Sequence, residues 1–385
     1  MGFFIGRDRE ARRSYSFDEV SIVPGALTVN PEIVDSSSRL GRMKLAIPFM
    51  ASSMDGVTDV DFVATMSKMG GLAVLNLDGV QTRYKNPKEA LAKIIKAPQD
   101  KVTRVMQEIY AKPVQEQLIA QRIKEIKNKG GLAAVSTIPQ NASRWGKVAE
   151  KAGADVFFIQ ATVVTNRHES TNGTYLNLKD FCKTMRIPVV LGNCVTYQAA
   201  LELMDTGCAG ILVGVGPGSA CTSRQVLGVG VPQITAIVDA ATARDSYLKK
   251  TGRHVAIIAD GGMRTGGDIC KAVVAGADFV MLGSTFARAK EAPGKGYHWG
   301  MAMPSKYLPR GTRIKVGQDA SLEQILFGPA FKDDGTQNLV GALKTSMGYV
   351  GAKTISEFQQ AELIIAPEIG QEGKMIQKIQ GVGSV

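Results

Sequence analysis

The stretch of the sequence with the most evident chemistry is residues 214–224, GVGPGSACTSR, which contain the thiol of Cys221. They follow the apolar run from Ala209 to Val213, so the thiol lies a few residues beyond a predicted strand. Glycine permits positive φ angles and lets backbone N–H groups approach an anion closely. Small polar neighbours suit a nucleophilic thiol better than a core cysteine. The loop alone leaves two interpretations open, a nucleophile or a phosphate-binding turn with an inert, buried cysteine.

Glycine turns after three successive late strands form a candidate phosphate site. These turns contain Ser219, Gly262, and Gly283 with Ser284. In a barrel enzyme the late strands usually supply the phosphate site. Turn geometry explains each glycine taken singly, whereas the three turns together favour phosphate binding.

Asp260 places a carboxylate at the end of one of these strands, just before Gly261 and Gly262. A carboxylate that is separated from the phosphate site by the width of a ribose can accept hydrogen bonds from both sugar hydroxyls. The alternative roles for Asp260 are a helix N-cap and a salt bridge in the barrel. A phosphate site, a ribose anchor and a thiol in one cavity indicate a nucleotide whose base lies against Cys221. Thiolate attack on an electron-poor ring carbon would then give a covalent intermediate.

Eight nearly continuous apolar runs, separated by helical patterns, predict the scaffold that positions these groups. Such runs are typical of parallel strands buried on both faces. Eight βα units in one chain predict an α/β fold, a (β/α)8 TIM barrel, with a doubly wound open sheet as the alternative. Barrel enzymes carry their sites at the carboxyl ends of the strands. The runs are residues 47–54, 71–76, 131–138, 155–161, 188–194, 210–215, 255–259 and 279–283.

We expect one barrel domain over residues 1–385. Three segments of it depart from the alternation of strands and helices. Residues 77–130 are polar and rich in lysine, and they predict an extended helical βα connection with helices over 87–96 and 114–129. Residues 289–317 predict a long irregular loop that covers the site. A helix is expected over residues 335–352, and residues 368–385 form a C-terminal tail.

The composition favours a cytoplasmic enzyme that acts on phosphorylated small molecules. The net charge is +11, but no run of five lysines or arginines occurs, which disfavours nucleic acid as a partner. The five cysteines are odd in number and include no CxxC pair, so neither a disulfide framework nor a zinc site is expected. The sequence also shows no signal peptide and no apolar run long enough to cross a membrane.

Several motifs together resemble the IMP dehydrogenase/GMP reductase family. They are the loop GVGPGSACTSRQVLGVGVPQ over residues 214–233, ADGGMR over 259–264, MLGS over 281–284, EAPG over 291–294 and SMGYVGA over 346–352. The resemblance covers residues 18 to about 367, and the cysteine loop is highly specific. It is closest to a short, IMP dehydrogenase-related subfamily without the regulatory CBS-domain pair.

The resemblance implies a homotetrameric barrel in which Cys221 attacks C2 of a purine nucleotide monophosphate. In the dehydrogenase reaction of guanine nucleotide synthesis, NAD accepts hydride from the Cys221–IMP adduct, and water hydrolyses the thioimidate to XMP. A monovalent cation, potassium in this family, would bind the carbonyl oxygens of Gly216, Gly218 and Cys221.

The remaining roles follow from matching positions. Phosphate would be held by Ser219, Gly262, Gly283 and Ser284, and ribose by Asp260. Ser52, Met54 and Asn193 would line the purine and sugar, and His298, Gly300, Met301 and Arg310 complete the implied substrate-binding set. Gln160, Thr162 and Gly214 form the implied cofactor-binding set, and Ser223 joins Cys221 as a catalytic residue.

Four departures from the family pattern bear on the activity. Ser223 stands where threonine is usual but keeps the hydroxyl, and Gln160 replaces an aspartate that contacts the nicotinamide ribose. Arg310 replaces a glutamine or glutamate that contacts the base. The cover is too short for the family's flap with its Arg-Tyr pair, so Lys306 and Tyr307 are the nearest candidates to activate water. The alternative is that Lys306 and Tyr307 belong to an ordinary solvated loop.

Three functions are therefore weighed. NAD-dependent oxidation of IMP to XMP is the first, and NADPH-dependent reduction of GMP to IMP and ammonia is the second, which the missing Arg-Tyr pair favours. A non-catalytic nucleotide sensor is the third, and the presence of both Cys221 and Ser223 argues against it.

Overall fold

An N-terminal segment precedes the barrel, and a hairpin in it covers the amino end of the barrel. The computed structural model describes residues 3–169, 175–300, 312–366, 377 and 379–382. Leu40 and Leu45, in a hairpin of this segment, are buried against side chains that fill the barrel, among them Met50 and Phe158. The five strands of the segment are β1 (Phe3–Gly6), β2 (Arg9–Ala11), β3 (Val20–Ile22), β4 (Ser38–Leu40) and β5 (Met43–Leu45).

Eight parallel strands form a closed barrel, which confirms the predicted (β/α)8 fold. The alternative of an open sheet is excluded because the last strand pairs with the first, with Val280 opposite Phe49. Each predicted strand overlaps an observed one. The barrel strands are β6 (Phe49–Ala51), β7 (Leu72–Asn76), β8 (Ala134–Thr137), β9 (Val156–Gln160), β10 (Val189–Cys194), β11 (Gly210–Val213), β12 (Ala256–Asp260) and β13 (Phe279–Leu282).

The strands are buried on both faces, as their continuous apolar runs predict. Ile258 and its neighbours Leu212 and Phe279 fill the barrel interior, whereas Ile257 packs in the layer between strands and helices. Each side chain of this kind contributes about 1.5–3 kcal/mol when it is fully buried. The packed interior leaves the carboxyl ends of the strands as the place for a site.

The helices surround the barrel, and two of them agree with the helices predicted over residues 87–96 and 114–129. The helix expected over 335–352 is shorter than predicted. The helices among the described residues are α1 (Val60–Lys68), α2 (Pro87–Lys96), α3 (Val102–Tyr110), α4 (Glu116–Asn128), α5 (Pro139–Ala152), α6 (Leu178–Thr184), α7 (Tyr197–Met204), α8 (Ser223–Leu227), α9 (Gln233–Thr251), α10 (Gly266–Val274), α11 (Ser284–Ala287), α12 (Leu322–Phe327), α13 (Leu339–Tyr349) and α14 (Ile355–Phe358).

The connection between β7 and β8 contains α2, α3 and α4, of which the sequence analysis missed α3. Helices α2 and α3 form a small separate core, in which Leu91, Ile94 and Met106 are buried around Trp299. Trp299 belongs to the segment that was predicted to cover the site. The connection therefore supports that segment directly.

The predicted cover is more ordered at its base than expected. Residues on its two sides pair as antiparallel strands, β14 (Tyr297–Trp299) and β15 (Arg313–Lys315), with His298 opposite Ile314. The glycines and prolines of residues 289–317 favour irregular structure, so the sequence did not predict the β14–β15 pairing. A final strand, β16 (Leu363–Ile365), pairs with β3, and most of the predicted tail over residues 368–385 lies outside the described residues.

None of the helices in the described ranges combines the length and the apolar character that a membrane crossing requires.

Candidate active site

A cavity of about 800 Å³ opens at the carboxyl ends of the barrel strands. It brings together the predicted groups from β6, β9, β10, β11, β12 and β13 and from β14. Met301, Lys306, Tyr307 and Arg310 lie outside the described residues. Every other predicted site residue lines the cavity, namely Ser52, Met54, Gln160, Thr162, Asn193, Gly214, Gly216, Gly218, Ser219, Cys221, Ser223, Asp260, Gly262, Gly283, Ser284, His298 and Gly300.

Cys221 differs from the other four cysteines in its exposure. All five lie in described segments, and Cys221 alone is exposed. Burial raises the pKa of the Cys194 thiol to about 12 and that of Cys270 to about 11, so these thiols stay protonated. The Cys221 Sγ lies 3.4 Å from the Ser223 hydroxyl, and its backbone N–H donates to the Gly218 carbonyl over 3.0 Å. Cys221 is therefore not a buried cysteine, as the second interpretation of the loop required.

Arg224 holds the cysteine loop in shape, a role that sequence analysis missed. Its guanidinium donates to the carbonyls of Val215 over 3.1 Å and Val231 over 2.6 Å. Its aliphatic stem lies so close to Gly216 that an added Cβ there would meet Arg224 Cγ at 2.5 Å. Gly216 also has a φ of +77°, so both its missing side chain and its backbone conformation are required. The signal in the sequence for this role was the arginine that ends the cysteine loop over residues 214–224.

Asp260 lies in a network of amide groups beneath the cavity. Asn193 Nδ2 donates to its Oδ2 over 2.8 Å and Gln160 Nε2 over 3.1 Å. Burial raises the pKa of Asp260 to about 6, and the two amide donors oppose that rise. Gln160 in turn accepts a hydrogen bond from Ser53 over 2.9 Å. The carboxylate is thus held in place, and Gln160 connects it to Ser53, which follows β6.

The predicted phosphate-binding groups meet at one end of the cavity. The hydroxyls of Ser219 and Ser284 lie 2.7 Å apart, and Ser284 Oγ is 3.1 Å from His298 Nε2. Burial lowers the pKa of His298 to about 4, so its imidazole is neutral at physiological pH. Gly262 has a φ of +84° and would place a Cβ 2.9 Å from Pro217 Cβ. These groups offer hydroxyl and backbone donors to an anion.

A buried chain of hydrogen bonds joins the loop after β6 to β14. The Tyr110 hydroxyl donates to Asp55 Oδ2 over 2.7 Å and accepts from Trp299 Nε1 over 2.7 Å. Asp55 directly follows Met54, and Trp299 directly follows His298, so the chain fixes two cavity walls against each other. Tyr110 comes from the helical connection, and no local pattern in the sequence pointed to it.

On the side of the barrel formed by β7 and β8, the cavity is lined by Asp78, Arg83 and Asn141. The Asp78 carboxylate accepts hydrogen bonds from Thr137 Oγ1 over 2.7 Å and from Asn141 Nδ2 over 2.7 Å. This side is polar and separate from the phosphate-binding groups. The cavity therefore has room and polar partners for a second ligand beside a nucleotide. In the described ranges, no group of three His, Cys, Asp or Glu residues could hold a metal ion.

Comparisons with known proteins agree with this arrangement. The family described as "IMP dehydrogenase / GMP reductase domain" matches residues 14–318. A protein of Mycolicibacterium smegmatis, named only as an uncharacterized oxidoreductase, is 38% identical over 370 residues, which cover 94% of this chain and 99% of that protein. The inosine-5'-monophosphate dehydrogenase of Borreliella burgdorferi is 31% identical over 388 residues, which cover 90% of this chain and 92% of that enzyme.

A solved structure shares the architecture over nearly the whole length. The crystal structure of an IMP dehydrogenase/GMP reductase-like protein from Corynebacterium glutamicum superimposes with a TM-score of 0.89 at 39% sequence identity. The match covers 94% of this chain and 97% of that chain. Together with the family match over residues 14–318, these similarities show that the chain is an oxidoreductase of the IMP dehydrogenase/GMP reductase family.

Proposed function

We propose that this chain is an NAD-dependent IMP dehydrogenase that oxidises IMP to XMP through a covalent bond to Cys221. The observation that carries the proposal is the position of the exposed Cys221 thiol in one cavity with Asp260 and the Ser219–Ser284 pair. The similarity to the Borreliella burgdorferi inosine-5'-monophosphate dehydrogenase supports the choice of substrate.

The reaction begins when the Cys221 thiolate adds to C2 of the hypoxanthine ring, while the electron pair of the C2=N3 double bond moves to N3. The hydrogen at C2 then leaves with its electron pair, which gives a thioimidate on Cys221. Addition of water at C2 and departure of the Cys221 thiol release XMP. NAD, when bound, supplies the acceptor for the hydride. The balance is IMP, NAD⁺ and water giving XMP, NADH and a proton.

Ser223 and Arg224 prepare the thiol for attack. The Ser223 hydroxyl is within 3.4 Å of Cys221 Sγ and is the nearest partner for its proton. The Arg224 guanidinium holds the loop that carries Cys221 through its hydrogen bonds to the Val215 and Val231 carbonyls. The proposed cation ligands, the carbonyls of Gly216, Gly218 and Cys221, lie in the same loop, and potassium is the ion that the family implies.

The substrate groups are proposed to bind where the cavity offers matching partners. Ser219, Gly262, Gly283 and Ser284 hold the 5′-phosphate, assisted by His298, and Asp260 accepts hydrogen bonds from the ribose hydroxyls. Ser52, Met54, Asn193 and Gly300 line the base and sugar, and Met301 and Arg310 are proposed to complete that wall. Gln160, Thr162 and Gly214 face the nicotinamide half of NAD.

Water activation remains assigned to Lys306 and Tyr307, since a cation next to tyrosine favours the phenolate. A homotetramer, a cytoplasmic location and a role in guanine nucleotide synthesis are further parts of this proposal. Sedimentation of the purified chain tests the tetramer independently of activity.

The decisive experiment follows absorbance of the reduced cofactor in two mixtures, IMP with NAD and GMP with NADPH. NADH formation in the first mixture only, abolished in Cys221→Ala and retained in the control Cys182→Ala, supports the dehydrogenase. Cys182 is a suitable control because it lies half-buried in α6, outside the cavity lining. Loss of NADPH in the second mixture only supports the GMP reductase instead. Absence of turnover in both mixtures leaves the nucleotide sensor.

A further inference from the structure

The phosphate-binding end of the cavity has donors but no charge of its own among the residues assigned so far. Ser219 and Ser284 offer hydroxyls, and Gly262 and Gly283 offer backbone N–H groups. His298 is 1% exposed and neutral, because burial lowers its pKa to about 4. A nucleotide 5′-phosphate carries close to two negative charges at pH 7. A dianion buried among neutral groups is costly unless a cation lies near it.

Arg288 is the residue placed to supply that cation. It lines the same cavity as Ser284 and follows it by four residues, directly after the short helix α11. Residues four apart lie on the same helical face. Arg288 keeps helical backbone angles (φ −75°, ψ −15°), so it lies on the same face of this turn as Ser284. Arg288 is half-buried, which limits the number of directions open to its guanidinium.

The other arginine at this end of the cavity is already neutralised. Arg264 pairs with Asp18 over 2.5 Å and with Asp268 over 3.1 Å. Arg288 forms no ion pair with any carboxylate of the described residues. Asp319 donates its backbone N–H to the Arg288 carbonyl, but its own carboxylate is bound by Lys332. Arg288 is thus a cavity-lining cation that is free to take an anionic ligand.

We propose that Arg288 binds the 5′-phosphate of the nucleotide and makes the site selective for nucleotides over nucleosides. This inference rests on the proposed function, because it takes the Ser219–Ser284 end of the cavity as the phosphate end. Neither the cysteine loop nor the family motifs singled out Arg288. A guanidinium offers paired N–H donors to phosphate oxygens, which neutral hydroxyls do not replace.

The test compares the binding of IMP and of inosine to the full chain by isothermal titration calorimetry. The variants are Arg288→Ala, Arg288→Lys and the control Lys290→Ala, an exposed cation two residues farther along. Arg288→Ala is expected to weaken IMP binding at least about tenfold, because a charge-assisted bond to phosphate is lost, while inosine affinity is unchanged. The IMP affinity of Arg288→Lys is expected to lie between those of the wild type and Arg288→Ala. Rising salt concentration should weaken IMP binding more in the wild type than in Arg288→Ala.

The outcomes separate this inference from the proposed function. A chain that oxidises IMP, and whose Arg288→Ala variant keeps IMP affinity within about twofold of the wild type, overturns the role of Arg288 alone. Equal weakening of IMP and inosine binding also overturns it, since that result indicates a general distortion of the site. A chain that turns over no nucleotide, yet loses binding of inorganic phosphate in Arg288→Ala, supports the anion site and refutes the proposed function.

Discussion

The side-chain amide of Gln160 donates a hydrogen bond to Asp260 Oδ2 over 3.1 Å, across 100 residues of sequence. Asp260 is the proposed ribose anchor, and Gln160 was expected to contact the cofactor ribose. The structure thus joins the two proposed binding functions in one contact. An aspartate at position 160, the residue usual in related dehydrogenases, would instead place a second negative charge beside Asp260.

Gln160→Asp is therefore expected to raise the pKa of Asp260 above its value of about 6, because like charges disfavour ionisation. The ionised form of Asp260 is the one that accepts both ribose hydroxyls, so kcat/KM for IMP should fall as pH drops through that pKa. The acid limb of the pH profile should then lie at higher pH in Gln160→Asp than in the wild type. An unchanged acid limb contradicts the assignment, and Gln198→Asp at an exposed position of α7 serves as the control.

Asp55 gives a pH dependence of stability rather than of binding. It is 2% exposed, and burial raises its pKa from 3.8 to about 6. Because the folded pKa is raised, the wild type should lose stability as pH rises from about 4 to above 6, by about 3 kcal/mol at most. Asp55→Asn removes that titration. We therefore expect the free energy of unfolding of Asp55→Asn, measured in urea relative to that of the wild type, to be higher at the upper end of this pH window than at the lower end.

The same measurement on Asp278→Asn provides a contrast. Asp278 is also buried, but Arg244 and His254 keep its pKa below the usual value. Removing its charge should destabilise the chain most at neutral pH. Parallel behaviour of the two variants would contradict the interpretation of Asp55.

Tyr110→Phe tests the connection between the helical segment and the cavity. Loss of the hydroxyl leaves the Asp55 carboxylate and the Trp299 indole N–H without a shared partner in a buried place, at a cost of about 1–3 kcal/mol each. Met54 and His298 adjoin these two residues, so the KM for IMP should rise several-fold. The control Tyr247→Phe changes a buried tyrosine of α9 that does not line the cavity. Equal KM values in the two variants would refute a positioning role for Tyr110.

The contrast between Cys221 and Tyr110 shows what the sequence could predict. Asp260 ends a barrel strand, and Ser284 and Cys221 follow other barrel strands, so local apolar runs and glycine turns placed them at one end of the barrel. Tyr110 acts through contacts with Asp55 and Trp299, residues that no local pattern relates to it. Trp299 was predicted to lie in an irregular cover. Its burial could not be predicted locally, because it depends on α2 and α3, which lie about 200 residues earlier. Arg288 lies between the MLGS and EAPG motifs, so neither motif pointed to its proposed role.

Arg313 provides the final prediction, since it joins β15 to the carboxyl end of α2. Its guanidinium donates to the carbonyls of Ile94 over 2.7 Å and Ala97 over 2.9 Å, and it lies over the Tyr297 ring at 4.8 Å. Lysine keeps the charge but cannot reproduce this forked geometry. Arg313→Lys is expected to cost about 1–3 kcal/mol of unfolding free energy. It should also lower kcat, because β14 and β15 form the base of the cover. Urea unfolding measures the stability effect and steady-state kinetics measure kcat, with Lys315→Arg at an exposed position as the control. An unaltered kcat in a destabilised Arg313→Lys variant would restrict the role of Arg313 to folding.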